Sequence, residues 1–261
     1  ACLPGEPQRS AKGIAVALAD GISSSEVGHV ASEFAVRGFL DDYYCTSEAW
    51  SVKTSALRVL GATNSWLYSQ TQQGHGRYDK DRGHVCTFSG AVFKSTTAHL
   101  FHVGDGRIYL LRGKSCEPLT QDHRVIVAHD KSYLSRALGI HPQLDIDYRT
   151  LALERGDVFL LATDGVYEHV EPAFFHEALA RHADDLDAAA RAIVAAAFDR
   201  GSPDNLTVQL VRIDALPAGQ VSELQQQLAA LPLPPLLEPG ADFDGYRIVR
   251  ELHGSSRSHI Y

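Results

Sequence analysis

The chain has 261 residues, enough for one large domain or two small ones, and a net charge of -8, which argues against a nucleic-acid surface and suits a chain that gathers cations. Its hydrophobic content of 44% is ordinary for a globular protein, and no apolar run reaches the length of a membrane span. With no signal-peptide layout at the N-terminus either, no membrane contact is expected from this segment and the expected location is the cytoplasm. Cys2, Cys45, Cys86 and Cys116 form no paired motif and are expected as free thiols of a reducing compartment, not as zinc ligands. Methionine is absent. The expectation is a segment of a longer chain rather than one that has only lost its initiator.

In chain order, residues 1–11 are rich in Pro and Gly, and Lys12 to Ala19 reads as a strand. Ser23, Ser24 and Ser25 offer cap oxygens for a helix that carries Val27, Val30, Ala31, Phe34, Ala35 and Leu40 to about Tyr44. A second helix is expected from Val52 to Ser69, then a polar loop from Gln70 to Gly83. Beyond Val85 the period shortens to that of strands: Cys86 to Phe93, Ala98 to Val103 and Arg107 to Arg112 read as an antiparallel meander. Leu119 to Leu138 is mixed, with a helical piece expected over Ser132 to Leu138. Strands follow at Leu144 to Leu153 and Val158 to Thr163, a helix opening at Pro172, an alanine-rich helix from Leu186 to Phe198, and a last strand from Asn205 to Ile213. The fold class is α+β.

Four carboxylates stand at strand ends. Asp20-Gly21, Asp105-Gly106 and Asp164-Gly165 each close an apolar run, and Asp204-Asn205 opens one. An ionised carboxylate at the end of a buried strand is costly unless a positive group meets it, and the nearest Lys or Arg to Asp164 in sequence is Arg155. One shared cation partner is therefore expected, and all-oxygen ligands suit hard divalent ions. A lone Asp-Gly is more often just a turn; the repetition in the ordered set is what favours metal ligation. His99 and His102 are an odd number apart on a strand, so they face opposite ways and make no metal pair. Asp122-His123 suits a structural hydrogen-bonded role at least as well as a catalytic one, and Arg107 suits anchoring a turn.

These residues carry a family pattern. The chain resembles the metal-dependent protein phosphatases, the phosphatase 2C-like (PPM) family, over roughly residues 1–213. The resemblance lies in Asp20-Gly21, Cys86-Thr87, the run Gly104-Asp105-Gly106-Arg107, Leu119-Thr120-Gln121-Asp122-His123, Thr163-Asp164-Gly165-Val166, and Asp204-Asn205-Leu206-Thr207-Val208. It implies a four-layer α-β-β-α sandwich with two central, mostly antiparallel sheets. It also implies hydrolysis of phosphoserine and phosphothreonine in phosphorylated protein substrates, with two or three Mn2+ or Mg2+ ions. By similarity, Asp20 bridges two ions, Gly21 offers its carbonyl, Asp164 and Asp204 complete the first site, and Asp105 with Asp164 holds a third ion. Cations sharing a water lower its pKa, so attack on phosphorus needs no Cys or Ser nucleophile.

Several positions depart from the family. Its phosphate-binding arginine and the acidic residue before the first Asp-Gly have no counterpart here, and the missing first strand is expected upstream of Ala1. Ile22-Ser23-Ser24 replaces a glycine pair, and Gly106 replaces a serine. Residues 215–241 read as a Pro/Gln-rich linker, and 242–261 resemble the truncated start of a protein kinase, with a degenerate glycine loop from His253 to Tyr261. The expected domains are thus 1–214, 215–241 and 242–261, with a kinase domain in the same parent chain. The alternative to a phosphatase is a non-catalytic phosphatase-like domain that regulates the attached kinase; a third reading is another metal-dependent phosphoester hydrolase.

Overall fold

The computed structural model describes residues 4–6, 8–79, 82–128, 131–217, 236–243, 245–254 and 259–261. The chain divides into two units, Ala1–Ala218 and Gly219–Tyr261.

In the first unit, α1 (Gln8–Lys12) leads into β1 (Ile14–Leu18), then α2 (Gly28–Cys45) and α3 (Val52–Gln73). Four strands follow: β2 (Phe88–Lys94), β3 (Thr97–Val103), β4 (Arg107–Arg112) and β5 (Ser115–Pro118). They are not the expected meander: β2 pairs with β3 and β4 with β5, but the chain crosses from one sheet to the other between β3 and β4. A hairpin, β6 (Arg124–Ala128) and β7 (Lys131–Leu134), precedes β8 (Asp147–Ala152) and β9 (Val158–Ala162). The unit closes with α4 (Asp164–Tyr167), α5 (Pro172–Arg181), α6 (Leu186–Asp199) and β10 (Val208–Arg212). One sheet has the order β1-β2-β3-β8 and the other β10-β9-β4-β5, and every pairing is antiparallel.

Alternation along the strands builds the layers. In β1, Val16 and Leu18 pack with Leu100, Ile108, Phe159 and Leu161 between the two sheets. Ala15 and Ala17 face the other way, onto Phe39, Tyr43, Leu60 and Leu67 of α2 and α3. In β9, Phe159 and Leu161 enter the space between the sheets, while Leu160 and Ala162 pack with Phe175, Ile193 and Ala197 of α5 and α6. A period-two pattern buried on both faces gives sheets covered on both sides, hence helix, sheet, sheet, helix. Lys12 is a buried exception, with its ammonium donating to Thr46 Oγ1, the Ser47 carbonyl and Ser55 Oγ at 2.9, 2.6 and 2.9 Å.

Three further local readings are corrected. The stretch expected as helix over Ser132 to Leu138 is not helical: its first residues, to Leu134, belong to the second arm of the β6–β7 hairpin, where Val125 pairs with Tyr133. A β-branched run and an aromatic partner fit a pleated ribbon better than a helical turn. Leu138 goes on to form a backbone bridge with Cys86. The serine cap expected for α2 is not used: Ser25 Oγ donates to the Gly83 carbonyl at 2.8 Å, and the helix starts at Gly28. Finally, α3 runs on to Gln73, into the stretch expected as loop, after a start capped by Ser51 Oγ accepting from Thr54 N–H.

In the second unit, Asp242–Phe243 pairs with Tyr246–Arg247, and His253–Gly254 pairs with His259–Ile260. Most of the expected linker, 218–235, and residues 255–258 of the glycine loop lie outside the described residues. Among the described residues no helix is long and apolar enough to cross a membrane. Cys45, Cys86 and Cys116 are free thiols.

Candidate metal centre

The chain ends its strands so that carboxylates from both sheets meet. Asp20 hangs just beyond β1, Asp105 sits in the β3–β4 turn, Asp164 follows β9 and Asp204 precedes β10. All four, with Gly21, line one pocket of about 390 Å³, together with Ser23, Ser24, Thr87 and Arg124.

Each carboxylate is placed by local chemistry that the motifs encode. Gly21 must lack a side chain, because a Cβ there would lie 2.2 Å from the Gly28 carbonyl carbon at the start of α2. Gly165 lets the two halves of the site close: a Cβ would come within 2.7 Å of the Asn205 carbonyl oxygen and 3.1 Å of Asp204 Cβ. Thr163, buried, stitches the same junction. Its hydroxyl donates to the Asn205 carbonyl at 2.9 Å and accepts from Thr207 N–H at 3.1 Å. The Asp105 carbonyl accepts from Tyr167 Oη at 2.7 Å.

The electrostatics are those of crowded like charges. The Asp20 carboxyl is pushed up to about 7, first by burial and then by Asp164, Asp204 and Asp105. Asp164 is also raised, by burial first and then by Asp105 and Asp204, against the lowering pull of Gly165 N–H and Arg124. The donor set is all oxygen and short of positive charge, so its chemistry fits a hard divalent cation. The carboxylates are not gathered as a ready-made cage, however: no three acidic, imidazole or thiol groups among the described residues are disposed to hold an ion. Their oxygens are held by the chain's own donors. Asp164 Oδ1 accepts from Gly165 N–H at 2.8 Å, and Asp204 Oδ1 accepts from Asn205 N–H at 2.7 Å and Ser23 Oγ at 3.3 Å.

The sequence reading named no basic side chain as a partner of these carboxylates, and the structure supplies one. Arg124 reaches in from β6, with Nε 2.6 Å from Asp105 Oδ2 and Nη2 2.5 Å from Asp164 Oδ2. The signal available was only its place directly after Asp122-His123.

The neighbouring polar residues hydrogen-bond to one another and to the backbone. Arg107 forks onto Asp122 at 2.9 and 2.8 Å and lies 3.8 Å over the Tyr167 ring. Asp122 and His123 serve different partners: His123 Nδ1 accepts from Gly104 N–H at 3.0 Å and Nε2 meets Asp147 Oδ2 at 3.0 Å. His99 pairs with Tyr148 Oη, and His102 with Ser89 Oγ on the opposite face. At Gly106 a Cβ would meet Ser89 Oγ at 3.0 Å, so Ser89 fills the space there. Cys86 is fully buried, and burial, then Asp20, pushes its thiol up, which leaves it no thiolate nucleophile.

An oxygen-lined acidic pocket at the end of a two-sheet sandwich suits a protein that works with a bound divalent cation. The family model described as Protein phosphatase 2C matches residues 7–210, and the chain belongs to that family. Its activity class is that of a serine/threonine protein phosphatase, a hydrolase that works with metal ions. Serine/threonine phosphatase stp of Listeria welshimeri is 28% identical over 227 residues, 78% of this chain and 86% of its own. Serine/threonine phosphatase Stp1 from Staphylococcus aureus shares the fold with a TM-score of 0.68 at 21% identity, over 77% of this chain and 84% of that one. The catalytic domain of the serine threonine protein phosphatase PstP, solved in complex with 2 manganese ions, superposes with a TM-score of 0.62 at 25% identity, over 75% of this chain and 85% of that one.

Proposed function

We propose that this chain removes phosphate from phosphoserine and phosphothreonine in proteins, with Mn2+ or Mg2+ held by Asp20, Asp105, Asp164, Asp204 and the Gly21 carbonyl. The observation that carries the reading is the convergence of those four carboxylates, from ends of both sheets, on one pocket. Cations bound there would acidify a water and neutralise charge on the phosphoryl oxygens. The chain's own part is positional. Thr87 and Thr163 fix the backbone at Asp20 and Asp164, and the two glycines let helix and strand ends close on the pocket. The pocket's volume suits a phosphorylated side chain entering alone, with the rest of the substrate protein outside. Residues 242–261, on the strength of their sequence resemblance, belong in this proposal to a kinase domain of the same parent chain.

The test is hydrolysis of a phosphothreonine peptide by the full chain with Mn2+, and its loss in Asp164→Asn. Hydrolysis that persists in excess chelator sinks the proposal. Mn2+ binding without turnover moves the reading to a non-catalytic regulator of the kinase.

A further inference from the structure

Among the described residues lining the acidic pocket, Arg124 is the one with a cationic side chain. Its guanidinium makes three ion pairs at once: Nε with Asp105 Oδ2 at 2.6 Å, Nη2 with Asp164 Oδ2 at 2.5 Å, and Nη1 with Glu168 Oε1 at 2.8 Å. Two of those three carboxylates are pocket ligands in the proposal above, and the third, Glu168, does not line the pocket. The Arg124 side chain is only 26% exposed, so these pairs are less screened than surface ones.

We infer that Arg124 is the resident counter-cation of the ion-free pocket, and that a divalent ion binds by exchange, displacing the guanidinium from Asp105 and Asp164. The inference rests on reading the pocket as a cation site. A carboxylate oxygen that accepts a charge-assisted hydrogen bond at this distance has its lone pairs aimed at the guanidinium, not at an ion. Two positive groups cannot share those oxygens without strong repulsion. This also explains why no three donors among the described residues stand ready as a cage although four carboxylates line the pocket: Asp105 and Asp164 are turned to Arg124, and Asp164 and Asp204 also accept from backbone N–H groups.

The local architecture permits the exchange. Arg124 opens β6, and among the described residues β6 pairs only with β7, in a two-stranded sheet of its own. The guanidinium can therefore leave without unpairing either sheet of the sandwich. Glu168, 47% exposed, stays as its partner outside the ligand set.

The prediction is a state-dependent effect, which distinguishes exchange from ordinary bracing. Arg124→Gln should lower the melting temperature of the full chain in chelator, because two crowded carboxylates lose their partner. In saturating Mn2+ that deficit should close, because the displaced guanidinium no longer contributes there. By linkage the same variant should bind Mn2+ more tightly than the parent, by about tenfold, as read by calorimetry. Arg124→Lys keeps the charge but not the fork and should fall between the two. Arg149→Gln, which removes an exposed pair with Glu117, controls for net charge and should leave Mn2+ affinity unchanged.

A melting deficit of equal size with and without Mn2+ would mean that Arg124 merely braces the fold, and an unchanged or weakened Mn2+ affinity in Arg124→Gln would equally end the inference. Failure of the parent chain to bind Mn2+ at all fails the cation-site reading itself, and this inference with it. Normal Mn2+ binding in the parent without the predicted shift fails the exchange alone.

Discussion

Thr87 holds the backbone of Asp20 from both sides: Asp20 N–H donates to Thr87 Oγ1 at 3.0 Å, and Thr87 N–H donates to the Asp20 carbonyl at 2.7 Å. Thr87 in turn follows Cys86, whose N–H and carbonyl exchange hydrogen bonds with Leu138. The carboxylate at the end of β1 is thus steadied by the residues that lead into β2. In Thr87→Val, which keeps the shape and removes the hydroxyl, the Asp20 N–H loses its acceptor. The expected cost is about 1–2 kcal/mol. Thermal unfolding in chelator should show it, and calorimetry should show weaker Mn2+ binding than in the parent.

Gly165 separates packing from ligand chemistry. Gly165→Ala forces a methyl against the Asn205 carbonyl and Asp204 Cβ, at 2.7 and 3.1 Å before relaxation. It should destabilise by roughly 1–3 kcal/mol. It should also lower Mn2+ affinity, although the residue carries no donor side chain, because Asp204 is pushed away. Gly61 in α3 has open space where a Cβ would go, so Gly61→Ala should be neutral or stabilising by about 0.5–1 kcal/mol. Equal behaviour of the two alanine variants in an unfolding titration would contradict the close approach.

His102 gives the fold an acid limit apart from the carboxylates. Its pKa is lowered to about 4, by burial first and then by His123, while the Gln121 carbonyl, Asp147 and Asp122 pull it the other way. Its ring is 4.9 Å from that of His123, and Ser89 and the Gln121 carbonyl take its two nitrogens. The folded pKa lies below the unfolded one, so the contribution is whole above the ordinary imidazole value of 6.5 and is lost as the pH falls towards 4. The full effect is on the order of 3 kcal/mol. His102→Gln should flatten the slope of unfolding free energy across that window, even if the variant is less stable at neutral pH. An unchanged slope would remove His102 from the account.

Much of the frame was readable because each strand carried its own period. Val16 and Leu18 against Ala15 and Ala17, and Phe159 and Leu161 against Leu160, already distinguish two buried faces. The Asp-Gly pairs were readable as a set, and the structure adds why glycine follows: it permits backbone approach, at Gly28 for Gly21 and at Asn205 for Gly165. The β6–β7 hairpin was not readable, because Ser132 to Leu138 lacks a clean period and its pairing is set across the turn. Arg124 was invisible for a related reason. Its partners stand 19 and 40 residues away in sequence, and nothing local announces them. Thr163 was quoted as part of a motif, but its role as a stitch depends on the distant Asn205 and Thr207.

The acidic groups hang from opposite slabs of the sandwich, Asp20 from one and Asp164 and Asp204 from the other, with Phe93 and Phe159 touching edge to face 4.9 Å apart in the oil between them. The gap across which charges face each other is therefore inherited from the girth of the interior. Trimming Phe159 or Leu161, or squeezing the protein hydrostatically, would reset that gap from well inside, as a shim sets the jaws of a vice.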